Sequence, residues 1–174
     1  VDSVVRRMND LGMFAALLPT WGDKIANQAG EGPQILNPEN ARAYGRFIGE
    51  RYRDAKVVWI LGGDRDTSRP PYLETVREIA HGLREGDQGR HLMSFPPPGG
   101  RSSSDFVHEE PWLDFHMWQT GHSRPSMDTS KLIAKDRAKT PVRPVLDGEP
   151  CYENIPVMDD GWNPTGSRFT AADA

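Results

Sequence analysis

Two carboxylates stand in matching contexts in this 174-residue chain: Asp64 at the end of Trp59-Ile60-Leu61-Gly62-Gly63-Asp64, and Glu149 in Val145-Leu146-Asp147-Gly148-Glu149-Pro150. Each follows a short apolar run and a glycine. If those runs are parallel strands, both acids emerge at the same end of one sheet. Paired carboxylates at one rim suit glycoside hydrolysis, in which one protonates the leaving oxygen and the other attacks the sugar or activates water. The glycines before them allow a substrate close to the backbone. A single rim acid is as readily an ordinary surface acid or a helix cap. Two of them among aromatics point to chemistry. Trp21, Trp112, Trp118 and Tyr152 all fall near predicted strand ends, where flat rings match the apolar C–H faces of sugars and polar neighbours take the hydroxyls. Trp59, inside its run, reads as core.

The candidate catalytic residues are therefore Asp64 and Glu149. Trp21, Asp23, His116 and Trp118 are the candidate substrate contacts on one side, with Gln119, His122, Tyr152 and Glu153 completing the set. His116 and His122, with Asp114 nearby, match no standard metal-ligand spacing and read as hydrogen-bonding residues. Ser102-Ser103-Ser104 lacks the G-x-S-x-G context of a serine nucleophile. Cys151 reads as packing. Neither a metal nor a cofactor is expected.

The elements that must position these residues alternate along the chain. Val1, Val4, Val5, Met8 and Leu11 recur at helical spacing, with Gly12 as a stop. Met13 to Leu18 is a short apolar run ended by Pro19, which reads as a buried strand. A Gly/Asn/Gln-rich loop runs from Trp21 to Leu36. Asn37-Pro38-Glu39 then combines an N-cap, a proline at the first helical position and an acid in the first turn. The helix it opens carries Ala41, Tyr44, Phe47, Ile48 and Tyr52 as its apolar stripe. Val57–Leu61 is the next strand, and Pro70-Pro71 open a helix bearing Leu73, Val76, Ile79, Ala80 and Leu83. His91–Phe95, Leu113–Trp118 and Pro144–Asp147 are three further strands, with a Pro/Gly/Ser loop at 96–104 and a weaker helix at 127–138. Residues 154–174 read as an irregular, loop-rich tail of the same single domain.

Such alternation predicts an α/β protein with a parallel sheet. A doubly wound nucleotide fold calls for a glycine-rich phosphate loop, whereas Gly62-Gly63 runs into an acid that would repel phosphate. Acids and polar residues past several strand ends fit the rim of a (β/α)₈ TIM barrel. With 21 Lys+Arg against 25 Asp+Glu, a net charge of −4, and 36% hydrophobic residues, a nucleic-acid partner is not expected. No run approaches ~18 apolar residues, so membrane insertion is not expected either. One cysteine excludes an intrachain disulfide framework.

At these motifs the sequence resembles a known family. LLPTWGDK, RAYGRFIGERYRD leading into VVWILGGD, HLMSF with PPGGRSSS, WLDFHMWQTGH, and PVLDGEPCYE together resemble the apiosidase-like catalytic domain of glycoside hydrolase family 140, over about Val1 to Glu153. The resemblance implies a retaining glycosidase of (β/α)₈ architecture acting on oligosaccharides or polysaccharides of the plant cell wall, such as pectin. It implies Asp64 as the acid/base, after strand four, and Glu149 as the nucleophile, after strand seven. It also implies a secreted or periplasmic location. Pro96 stands where relatives often have histidine, and His116 where they more often have asparagine. The motifs fit strands three to seven, and the chain opens without Met inside a helical pattern. A partial barrel is therefore expected, one that aggregates or is inactive when expressed alone, since an open sheet leaves edges and apolar surface uncovered.

Overall fold

Asn37 does open a helix: its side-chain oxygen accepts the backbone N–H groups of Glu39 and Asn40, while the Asn40 side chain accepts that of Asn37. This reciprocal cap starts α2 (Pro38–Tyr52) in the computed structural model, which describes residues 1–26, 33–65, 71–122, 128–159 and 161–172. Before it come α1 (Asp2–Asp10) and β1 (Ala15–Leu17); after it come β2 (Val57–Ile60), α3 (Tyr72–Asp87) and β3 (Met93–Ser94). The three strands form a parallel sheet in chain order, with Leu17 opposite Trp59 and Trp59 opposite Met93. Pro70, at the expected start of α3, and residues 27–32 of the expected loop lie outside the described residues.

A second sheet holds β4 (Arg101–Ser102), β5 (His116–Gln119) and β6 (Val145–Asp147). β6 runs parallel to β5, and β4 antiparallel. The two sheets meet at the entry to β5. Met93 donates its N–H to the Asp114 carboxylate at 2.7 Å, Asp114 returns an N–H to the Met93 carbonyl at 2.9 Å, and Ser94 Oγ donates to the Phe115 carbonyl at 2.7 Å. The five expected strands thus form one series, β1-β2-β3-β5-β6, and β4 takes the edge of β5 beyond the point where β3 ends. α4 (Ser104–Val107) and α5 (Thr129–Arg137) complete the helices. The Asp128 side chain caps α5; Met127, in its expected first turn, lies outside the described residues. None of the described helices is long and apolar enough to cross a membrane.

Alternate residues along the strands meet different surroundings. Ala15, Val57, Trp59 and Met93 are buried in the core with Val76, Ile79 and Leu83 of α3. Ala16, Val58 and Ile60 line an open cavity instead. The buried positions of α2 are Ala41, Gly45, Gly49 and Tyr52, while Phe47 of the expected stripe is 57% exposed. The reason is close helix packing. A Cβ on Gly45 would run into the Ile79 carbonyl, and one on Gly82 into the backbone of Arg42 and Arg46. Glycines bring the two backbones together, and the stripe turns toward them. In α1 only Val5 is buried; Val1, Val4 and Leu11 face solvent.

The expected irregular tail contains a hairpin, β7 (Pro156–Met158) paired antiparallel with β8 (Pro164–Arg168). Val157 and Phe169 bury themselves against Cys151, with Ile155 packed alongside. Every residue of β8 is exposed, so it lacks the apolar alternation by which strands are recognised.

Candidate active site

The path from β2 to Asp64 is set by backbone contacts. Gly62 turns the chain at φ +82°, and a Cβ there would lie 2.6 Å from the Phe95 ring. Gly63 crosses the loop after β1: a Cβ on it would stand 2.8 Å from Gly22 N and 3.0 Å from the Trp21 ring. Asp64 follows at φ +50°, a left-handed conformation that non-glycine residues seldom adopt and Asp tolerates better than most. Its carboxylate is 3.3 Å from Arg65 Nη1 and accepts a hydrogen bond from the Gln119 side chain. Burial raises its pKa above the ordinary Asp value; Arg65 opposes the shift and the charge of Glu149 adds to it.

Glu149 is presented by the loop after β6, which is tied to the end of β5. Gly148 donates its N–H to the Trp118 carbonyl at 2.9 Å, and Gly121 donates to the Glu149 carbonyl at 3.1 Å. His122 Nε2 lies 3.7 Å from Glu149 Oε1. The Tyr152 hydroxyl bonds to Glu149; burial first, then that bond and the charges of Glu149 and Asp64, push the phenol up to about 12. Tyr152 therefore remains a proton donor to the carboxylate across the neutral range. The His122 and Tyr152 rings are 4.4 Å apart, centre to centre.

One cavity of about 450 Å³ is lined by Trp21, Asp64, Trp118, Gln119 and Glu149 at the strand ends, over an apolar wall that includes Val58, Ile60 and Met117. Loops after β1, β2, β5 and β6 thus converge on one rim, with an acid from each of two strands. Trp118 reaches the cavity but is only 3% exposed, with Lys135 Nζ 5.5 Å from its ring centre.

His122 and Tyr152 stand against Glu149 without lining the cavity, and three further sequence-derived contacts lie elsewhere. His116 is wholly buried and does not line the cavity. Met117, Trp118 and Gln119 of β5 reach the cavity, while His116 meets Ser103 Oγ at 3.3 Å and His108 Nδ1 at 3.2 Å. Burial lowers its pKa to about 4. Asp23 is 5% exposed in the 3-10 turn Gly22–Lys24, paired with Lys24 at 2.8 Å, and is not a lining residue. Glu153 is exposed and also off the cavity wall. Two residues near the site carry no expectation from the sequence: Arg65, directly after Asp64, and Trp162, whose ring centre is 6.5 Å from that of His122. The adjacency of an arginine to a rim acid is a visible signal for the first. Trp162 has none without the hairpin. Among the described residues no group of three or more His, Cys, Asp or Glu side chains is placed to hold a metal ion.

Comparison with known proteins places this geometry. The family described as "Apiosidase-like, catalytic domain" matches residues 1–174. The crystal structure of a glycoside hydrolase family 5 protein from Bacteroides vulgatus ATCC 8482 is similar to this chain, with a TM-score of 0.84 at 31% identity; the match covers 99% of this chain and 37% of that one. A second solved structure, described as a glycoside hydrolase, gives a TM-score of 0.78 at 30% identity, covering 90% of this chain and 37% of that one. The chain thus spans somewhat over a third of the length of these solved relatives. No curated protein matches it.

Proposed function

The chain belongs to the apiosidase-like catalytic-domain family, and we propose that it carries the active site of a retaining glycoside hydrolase acting on plant cell-wall glycans of the pectic type. The carrying observation is the meeting of Asp64 and Glu149 at one rim, with Asp64 biased toward its protonated form by burial and by Glu149. A carboxyl group biased in this way is suited to give a proton to a leaving oxygen. Three further buried atoms support the reading. Trp118 Nε1, Gln119 Oε1 and His122 Nδ1 have no hydrogen-bond partner among the described residues. Buried polar atoms rarely stay so, and the hydroxyls of a saccharide satisfy such groups. The strand series β1-β2-β3-β5-β6 corresponds, in this reading, to strands three to seven of a (β/α)₈ barrel, whose rim past the strand C-termini is where barrel enzymes work. Such enzymes meet their polysaccharides outside the cytoplasm, and a secreted or periplasmic protein is proposed accordingly.

The reaction proceeds in two displacements. A Glu149 carboxylate oxygen attacks the anomeric carbon as the glycosidic C–O bond breaks, and Asp64 gives its proton to the departing oxygen. Gln119 and Arg65 hold the Asp64 carboxylate in place. Asp64, now ionised, takes a proton from a water molecule. The water oxygen bonds to the anomeric carbon, and Glu149 leaves as the free carboxylate. Tyr152, donating to Glu149, orients the nucleophile and loses part of that bond as the carboxylate is esterified.

The test uses the protein expressed from its whole coding sequence, with aryl glycosides and pectic side-chain oligosaccharides as substrates and NMR of the first-formed anomer as the readout. The reading expects retained configuration, with Glu149→Gln and Asp64→Asn each lowering kcat/KM by about 10²-fold or more. Asp64→Asn should lose less on an aryl glycoside, whose leaving group needs little protonation. Full activity in either variant, or an inverted product, overturns the mechanism. Glycan binding without any product would replace it with a non-catalytic carbohydrate-binding role.

A further inference from the structure

Trp162 combines three features that a surface tryptophan rarely shows together. It is 60% exposed, and it sits at φ +61°, a left-handed conformation that strains a bulky residue. A clamp also holds it there. Asp159 Oδ1 accepts the backbone N–H of Gly161 at 2.9 Å and of Asn163 at 2.8 Å, and Trp162 donates its own N–H to the Asp159 carbonyl at 3.0 Å. Strain that persists because surrounding bonds enforce it is grounds for inferring a function at the strained residue.

The position of that residue says what the function is. The hairpin bearing Trp162 is fixed at two places, one on the loop after β5 and one on the segment bearing Glu149. Met158 donates its N–H to the His122 carbonyl at 3.0 Å, and Val157 and Phe169 pack on Cys151, two residues beyond Glu149. Trp162 stands edge-on to His122, whose other neighbour is Tyr152, itself 48% exposed. Three rings, Tyr152, His122 and Trp162, thus neighbour one another in succession beside Glu149, from which His122 Nε2 is 3.7 Å.

We infer that Trp162 is the platform of a second saccharide subsite, stacking on the C–H face of a pyranose or furanose ring adjacent to the sugar held between Asp64 and Glu149. The inference rests on the proposed glycoside-hydrolase reading and extends it from one sugar to an oligosaccharide. An exposed indole matches the apolar face of a sugar. A platform held rigid before binding spares the ordering cost of a mobile loop.

The experiment measures binding of pectic side-chain oligosaccharides by titration calorimetry on the Glu149→Gln protein expressed from its whole coding sequence. Adding Trp162→Ala should weaken the affinity about tenfold, and Trp162→Phe, which keeps a ring, should retain most of it. Equal affinity in all three proteins overturns the inference. A second measurement does not depend on the alanine variant folding. The Trp162 indole N–H signal of the Glu149→Gln protein should shift when oligosaccharide is added, and an unmoved signal in a protein that binds overturns the inference. Aryl-glycoside hydrolysis by the unsubstituted protein is the separate check on the underlying reading. Hydrolysis together with an indifferent Trp162 defeats this inference alone, whereas neither hydrolysis nor binding defeats both.

Discussion

Replacing Gly22 by alanine should damage catalysis more than it damages the fold. Gly22 is where the loop after β1 crosses the loop that carries Asp64. Its backbone is not left-handed, so the obstacle to a side chain is space. A Cβ there would stand 2.4 Å from Arg65 Cγ, 2.6 Å from the Gly63 carbonyl oxygen and 2.8 Å from the Tyr72 hydroxyl, against about 3.5 Å for relaxed contact. None of the three is the free end of a flexible side chain, so the two loops must part by about 0.7–1.1 Å. Gly63 immediately precedes Asp64, which moves with it. Misplacement on the order of 1 Å can cost about 10²-fold in rate, so kcat/KM should fall about 10–100-fold. Overpacking of this size costs about 1–3 kcal/mol of stability. Gly82→Ala provides the control. Its Cβ would collide with the backbone of Arg42 and Arg46, far along the chain from either carboxylate, and it carries a similar packing cost offset by about 1 kcal/mol of helix propensity. Urea unfolding by circular dichroism gives the stability of each variant, and aryl-glycoside hydrolysis at a temperature where both remain folded gives kcat/KM. Wild-type kcat/KM in folded Gly22→Ala would refute the reasoning. An equal loss of activity in Gly82→Ala would do the same, because it would trace the effect to stability and not to the loop crossing.

Two other perturbations probe the charges. Arg65 lowers the Asp64 pKa, so Arg65→Met should raise it further, keep the acid protonated to higher pH, and move the alkaline limb of the kcat/KM profile upward; a limb that moves down or stays would contradict the assignment of that limb to Asp64. His116 is buried beside Ser103, His108 and Asp136, with Lys139 and Arg143 also acting on it, and its pKa falls from 6.5 to about 4. The unfolded chain then binds a proton that the folded chain refuses between those two values. The stability contributed by keeping His116 neutral is complete above about pH 6.5 and is lost as pH falls toward 4, at most roughly 3 kcal/mol. Unfolding measured across that window should show this slope, and His116→Asn should flatten it; an unchanged slope would place the proton uptake elsewhere.

The legible and the hidden parts of this chain differ in physical kind. Strands β1, β2, β3, β5 and β6 are legible because each is a short apolar run closed by glycine or proline, and α2 because Asn37-Pro38-Glu39 fixes its start through local bonds alone. The Asp64–Glu149 pairing is legible because parallel strands deliver the residues past their C-termini to one end. The misplacements concern properties that arise only between elements. Apolar periodicity assigns Phe47 to the buried stripe of α2, yet Gly45 and Gly49 lie against α3; periodicity scores side chains and is blind to a seam made by their absence. His116 looks like a rim residue from its place in Trp112–His122, but strand alternation decides facing one residue at a time, and a shift of one exchanges cavity for core. Trp162 shows the same limit most sharply. Its hairpin is held by Asp159 and by a small cluster around Cys151, with no apolar alternation in β8. Nothing local distinguishes that stretch from a loop. Only when the chain returns to His122 does an exposed tryptophan come beside a residue that itself stands 3.7 Å from Glu149, a proximity that has to be found from the fold.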